Sequence, residues 1–178
     1  WNVNQPRRWR RDEKLVASLK EGDTDWKRWL LDRPMVAFDP RKYLEFRTFW
    51  PYSSGIPGQW MCHQIDTVAW FTGFKFPRTA MASGGLYAWK DGRQNYDTFT
   101  TILEYGPDDK ADEGFQVVFS SRQTNAARGN VEKYHSTIGT IDLERGTVSN
   151  EGVEGKKVET KKLSETITGG GLLRIVKR

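Results

Sequence analysis

Three observations place this chain in the α+β class with a mostly antiparallel sheet. Up to Thr72 the apolar residues recur at helical spacing between capping signals. After Pro77 the texture turns to β-branched and aromatic runs broken by Gly, Pro and Asp, so helices come first and a meander of strands follows. With 178 residues the chain has room for one domain with its own core and too little for two full ones. The apolar share of 37% against 29% charged is that of a folded chain rather than a disordered one.

Taken in order, Trp1 to Val3 reads as a short strand, and Pro6 with the Arg-rich stretch after it as an exposed connection. Asp12 to Leu19 has helical composition, with Leu15, Val16 and Leu19 on one face and Gly22 stopping the run. Asp23 is placed to cap a short helix in which Trp26, Trp29 and Leu30, at i, i+3 and i+4, share a face. Core packing and sugar stacking are both open to this Trp pair. Phe38-Asp39-Pro40 starts the next helix, over about Arg41 to Phe49: Asp39 can accept from free backbone N–H groups, and Pro40 loses no needed donor in the first turn. Trp50 to Gly58 is too rich in Gly, Pro and Ser for helix or strand and forms a shaped loop.

From Gln59 to Thr72, Met61, Ile65, Val68, Ala69 and Phe71 suit a buried helix, and Gly73 stands where a left-handed cap falls. Strands are predicted over Thr79 to Trp89, Tyr96 to Tyr105, Phe115 to Ser121, Tyr134 to Ile138, and Thr140 to Val148 around a turn at Arg145-Gly146. Asp91-Gly92 and Pro107 to Gly114 join successive strands as hairpins, so Arg93 and Asp97, flanking the first, read as structural. Beyond Gly152 charged and small residues alternate, with a Gly169-Gly170-Gly171 break, and the tail carries no assigned element.

Charge and composition narrow the function classes. The net charge of +5 comes from an N-terminal cluster, Arg7, Arg8, Arg10 and Arg11, and a C-terminal one that includes Lys156, Lys157, Lys161 and Lys162. No Cys/His finger or RNP-type aromatic strand accompanies them, so a solvated basic face is favoured over nucleic-acid binding. No run approaches the roughly 18 to 20 apolar residues of a membrane span, which argues for a soluble chain without a membrane partner. The first residue is Trp1 rather than Met, so the compartment, cytoplasmic or exported, stays open. Cys62 is the single cysteine and reads as a small buried apolar side chain on a helix, without a disulfide or zinc partner.

The most informative constellation is Gln59, His63, Asp66 and Thr67 on one helix. At i, i+3 and i+4 such residues line one stripe, and a polar stripe on an apolar helix either satisfies itself in the core or faces a cavity holding a polar ligand. For His63 the structural alternative is a hydrogen bond to Asp66 or to backbone. The shaped loop ahead of it favours a ligand, and an imidazole can take a proton from a hydroxyl at neutral pH. Competing chemistries lack their signatures: no Gly-x-Ser-x-Gly elbow, no HExxH or CxxC spacing with only His63 and His135 present, and no singled-out carboxylate pair. No GxGxxG leads a strand into a helix.

The run Asp25-Trp26 to Trp29-Leu30, then Phe38-Asp39-Pro40, Phe46-Arg47, Tyr52 with Gly55, the block QWMCHQID from Gln59 to Asp66, and Trp70 to Gly73 together resemble the C-terminal domain of Gfo/Idh/MocA oxidoreductases. The resemblance continues through Gly84-Gly85, Tyr87, Trp89, Asp91-Gly92-Arg93, Asp97-Thr98, Glu104-Tyr105 and Gly139 to Leu143, and spans residues 1–155, leaving 156–178 as an unassigned tail. It implies a large open-faced sheet with helices packed on one face, and an N-terminal Rossmann domain, binding NAD or NADP, that is missing from this sequence. It also implies oxidation or reduction of a sugar or cyclitol hydroxyl.

In that family a histidine four residues after an aspartate lies near the nicotinamide. His63 matches the histidine, Gln59 stands where the aspartate would be, and Asp66 is of family type. The family's Glu-Lys-Pro lysine and glycine-rich phosphate loop have no counterpart, so this chain alone should bind no dinucleotide and do no hydride transfer. The expectation is a substrate half with His63 as acid/base and Arg47, Tyr52, Gln59, Trp60 and Asp66 contacting a carbohydrate-like molecule. For Arg47 a surface ion pair, and for Trp60 core packing, are the alternatives. Homo-oligomerisation through the sheet face is expected as well. Two other readings stand beside this: a non-catalytic module dimerising through an exposed face carrying Phe115, Val117 and Phe119, and the C-terminal half of an NAD-dependent glycosidase-like relative.

Overall fold

The computed structural model describes residues 1–4, 9, 12–110, 112–127 and 129–163. The N-terminal arginine cluster and the Gly169–Gly171 break lie outside the described residues. Local capping chemistry builds the helical half. Asp12 caps α1 (Glu13–Ser18), its carboxylate accepting from the Lys14 N–H at 2.7 Å. Asp25, not Asp23, caps α2 (Trp26–Leu30) by accepting from the Arg28 N–H at 3.1 Å. Asp23 instead closes a 3-10 turn, Glu21–Asp23, through the Lys20 N–H at 2.9 Å, because a capping side chain must stand immediately ahead of the first helical residue.

As expected, Asp39 and Pro40 start α3 (Pro40–Leu44), but the helix is shorter than its composition suggests. Past Glu45 the chain tightens into a 3-10 turn, Phe46–Thr48, since both the N–H and the Oγ1 of Thr48 turn back onto the Glu45 carbonyl, at 2.9 and 2.8 Å. A π-helical turn, Pro57–Met61, leads into α4 (Cys62–Thr72), and Gly73 ends it at φ +79° as a left-handed cap.

The strands form two sheets rather than one large one. β2 (Thr79–Gly85), β3 (Thr98–Tyr105) and β4 (Phe115–Arg122) make an antiparallel meander. β1 (Asn2–Asn4) lies parallel to β4, and β5 (Asn130–Val131) lies antiparallel to β1, giving the order β2-β3-β4-β1-β5. The ladder breaks at Glu132. Beyond it β6 (Lys133–Ser136), β7 (Gly139–Asp142), β8 (Thr147–Ser149) and β9 (Thr160–Lys162) form a separate four-stranded antiparallel sheet. The turn expected at Arg145-Gly146 joins β7 to β8, with Gly146 at φ +62°. β9 lies within the stretch that carried no sequence assignment, and Leu163 after it is buried.

Alternation decides the faces of the larger sheet. Leu103, Tyr105, Val117 and Phe119 point inward; two clusters result, one joining Val68 of α4 to Leu103, Tyr105 and Val117, the other pairing Ile56 with Phe119. This corrects the expected exposed face: Val117 is 3% and Phe119 0% exposed, so neither is available on the surface. The open face carries instead the row Met81, Ile102 and Val118, cross-strand partners on three adjacent strands, with Met81 68% and Val118 48% exposed.

Asp91-Gly92 is not a tight hairpin. Residues 86–97 make a long loop, with Gly92 at φ +78°, gathered around buried Asp97. The Asp97 carboxylate accepts from the Tyr87, Ala88 and Trp89 N–H groups at 3.1, 2.9 and 2.9 Å, and from Thr98 Oγ1 at 3.0 Å. Arg93, also buried, pairs through Nε and a terminal nitrogen with both oxygens of Asp91, each at 2.9 Å. The structural reading of both residues agrees with these contacts.

Candidate functional site

The loop ahead of α4 is held by the 86–97 loop. Asn95 is buried and donates its amide to the carbonyls of Arg47 and Ser53, both at 2.9 Å, while the Asn95 and Gln94 N–H groups donate to the Thr48 carbonyl. Gly55 at φ +68° passes so close to Asn95 that a Cβ there would sit 3.0 Å from the Asn95 Cβ. With the backbone pinned this way, Arg47 Nε donates to Gln59 Oε1 at 2.9 Å and Gln59 Nε2 donates to Ser53 Oγ at 3.1 Å. The Arg47 guanidinium also lies over the Phe46 ring, 4.7 Å from its centroid. Arg47 and Gln59 are therefore brought together, half-buried, at the entry to α4.

Cys62, expected to be buried, is exposed at the start of α4, its thiol turned to the Gly58 carbonyl at 3.2 Å, and His63 and Asp66 after it are both exposed. The His63 ring makes no hydrogen bond among the described residues, to Asp66 or to backbone, and the neighbouring Thr67 hydroxyl is spent on the His63 carbonyl at 3.1 Å. The stripe read from the sequence divides accordingly: its first member is satisfied by the loop, and its histidine faces out.

The two aromatic candidates lie in packed surroundings. Tyr52 packs against Trp29 and Trp26, with ring centroids 4.8 and 6.4 Å away, inside the cluster that α2 builds with Phe38 and Tyr43. Trp60 is half-buried against the Ile56–Phe119 cluster, and Trp9 stacks on it with centroids 6.4 Å apart and planes 8° from parallel.

Away from these residues, a cavity of about 570 Å³ opens between the C-terminal half of α4, the first half of β4 and the second sheet. Trp1, Phe71, Val117, Tyr134, Ile141 and Leu163 are among its walls. None of the six residues expected at the site lines it. Alternation could mark Val117 and Ile141 as inward-facing, but that they look into a shared space depends on how the two sheets meet. Tyr134 donates its hydroxyl to Glu132; burial first, and then this acidic partner, push the Tyr134 phenol far above its ordinary range.

Among the described residues no group of three or more His, Cys, Asp and Glu side chains is gathered for a metal ion, and no helix is long and apolar enough to cross a membrane. No protein-family model, curated protein or solved structure matches the chain.

Proposed function

We propose that this chain is the substrate-side domain of an NAD(P)-dependent sugar or cyclitol oxidoreductase of the Gfo/Idh/MocA kind, its dinucleotide held by a separate Rossmann domain. One observation carries the reading beyond the sequence resemblance: His63 is exposed on α4 and uncommitted to the fold, beside a loop whose polar groups are fixed by Asn95. A histidine serving only the core would be buried and bonded. In this role His63 exchanges a proton with a substrate hydroxyl, and the pinned Arg47–Gln59 pair shapes the lip of the site. The nicotinamide, when bound by the partner domain, supplies the redox chemistry.

The test is calorimetric titration of NAD, NADP and a panel of monosaccharides and cyclitols into this chain and into the polypeptide at its full natural length. Dinucleotide binding confined to the full-length protein, with sugar binding lost in His63→Ala, is the expected result. Absence of dinucleotide binding from both would overturn the redox reading.

A second reading, self-association through the open sheet face, is favoured by the Met81–Ile102–Val118 row. Exposed apolar side chains aligned across three strands are what a sheet-to-sheet contact buries. The two readings are compatible.

A further inference from the structure

The loop ahead of α4 carries a positive charge that the fold orients and does not compensate. Arg47 Nε donates to Gln59 Oε1 at 2.9 Å, and the guanidinium lies over the Phe46 ring, 4.7 Å from its centroid. Gln59 is fixed in turn by Ser53 Oγ, 3.1 Å from its Nε2, and the Arg47 carbonyl by the Asn95 amide at 2.9 Å. One corner and one face of the guanidinium are thereby committed. Its two terminal nitrogens meet no acceptor among the described residues.

The other buried or half-buried arginines among the described residues end differently. A terminal nitrogen of Arg41 and one of Arg93 face the Asp91 carboxylate, at 3.5 and 2.9 Å. Those of Arg33 and Arg78 reach backbone carbonyls. Arg47 is anchored by a neutral amide instead. A carboxylate at residue 59 would orient the guanidinium and cancel its charge; the amide orients it and cancels nothing. No carboxylate makes an ion pair with Arg47 among the described residues. The remaining sequence holds little that could: outside the described residues only Glu165 is acidic, and the stretch 5–11 around Trp9, whose ring stacks on Trp60, has no Asp or Glu. A half-buried cation without a counter-charge costs stability, and a ligand that brings the counter-charge recovers that cost.

We propose that Arg47 selects an anionic substrate: a sugar or cyclitol bearing a carboxylate or a phosphate, held by the terminal nitrogens of Arg47 while one of its hydroxyls meets His63. The inference rests on the reading of His63 as the centre of the site and narrows the substrate class of that site. Either oxyanion suits a guanidinium, because two parallel N–H groups meet two oxygens. His63 follows Gln59, the anchor of Arg47, by one helical turn, about 5 to 6 Å, a step that one sugar ring with its substituent spans. A neutral sugar would satisfy the N–H donors with hydroxyls and leave the charge uncompensated, so the anion is the better ligand.

The experiment titrates glucose, glucuronate and glucose 6-phosphate into the chain and follows the Arg47 Nε–Hε and His63 ring resonances by NMR. At least one anionic probe should shift both sets saturably, with a Kd about tenfold below that of glucose, and the one that does so identifies carboxylate or phosphate. Gln59→Glu keeps Arg47 anchored and supplies the missing charge from within, so it should bring the anionic probe back to the affinity of glucose. Arg47→Ala should do the same. Glucose binding as tightly as both anions overturns the proposal, as does the absence of any saturable shift at Arg47 with either anion. Anion preference that persists in both variants overturns it too, since other cations of the chain would then hold the ligand. Dinucleotide titration keeps the two readings apart. If NAD and NADP fail to bind the full-length protein while the Arg47 preference holds, the redox reading falls and the anion site stands; dinucleotide binding without anion preference sinks the anion site alone.

Discussion

Asp97→Asn offers the sharpest test of how the 86–97 loop is built. The carboxylate takes four hydrogen bonds with no exposed surface, from Tyr87 and Thr98 on Oδ1 and from Ala88 and Trp89 on Oδ2. An asparagine keeps one acceptor oxygen. Its better orientation retains Ala88 and Trp89, turns its NH2 toward the Tyr87 N–H, and lets the Thr98 hydroxyl rotate to accept. One buried N–H is then left without a partner, at about 1–3 kcal/mol, and two charge-assisted bonds become neutral ones of roughly half the strength. Relief from burying a charge offsets part of this, for a net loss of about 2–3 kcal/mol and a fall in Tm of about 5–10 °C.

The pH dependence has a fixed sign. Burial opposes ionisation of Asp97, but donation from Trp89, Ala88, Tyr87 and Thr98 outweighs it and holds the carboxyl below its ordinary value of 3.8. A carboxyl depressed by folding stabilises the fold above its unfolded value, and that stabilisation drains away as pH falls through the folded one. Urea titrations at several pH values should therefore show wild type and Asp97→Asn well separated at neutral pH, with the gap narrowing below about pH 4. A variant within about 0.5 kcal/mol of wild type at pH 7, or a gap independent of pH, would refute the account.

Other substitutions probe the site and the surfaces. Gly55→Ala should cost about 2 kcal/mol in urea unfolding, because its backbone is left-handed and the new Cβ presses on Asn95. A double-mutant cycle on Arg47→Ala and Gln59→Ala should return a coupling of about 1 kcal/mol, and a value near zero would mean that their bond does not brace the loop. His63→Ala should leave stability within about 0.5 kcal/mol of wild type, as the ring is exposed and unbonded, so any lost sugar binding would be a direct effect. Met81→Lys should shift any dimer seen by light scattering toward monomer with little change in monomer Tm; an undisturbed dimer would exclude the open face as its interface.

Much of this architecture is legible in the sequence because it depends on neighbours along the chain. Asp39 and Gly73 act within a few residues of themselves, and their caps appear where the pattern puts them. The β3 and β4 runs are rich enough in β-branched and aromatic residues, between turn residues, to announce strands. What the sequence left open is whatever depends on contacts between distant segments. Alternation shows that Val117 and Phe119 share a face but not which face is buried; α4 and Ile56 decide that by packing on it.

The candidate site divides in the same way. Spacing alone places Gln59 and His63 near each other on one helix. Only the tertiary structure ties Gln59 to Arg47 and Ser53 through a loop fixed by Asn95, and turns His63 outward. Nor could composition show that the strands after Glu132 form a second sheet, with a cavity between it and α4. Local propensity chooses the elements, but sheet membership, buried faces and enclosed space follow from hydrogen-bond pairing and close packing across long separations in the chain.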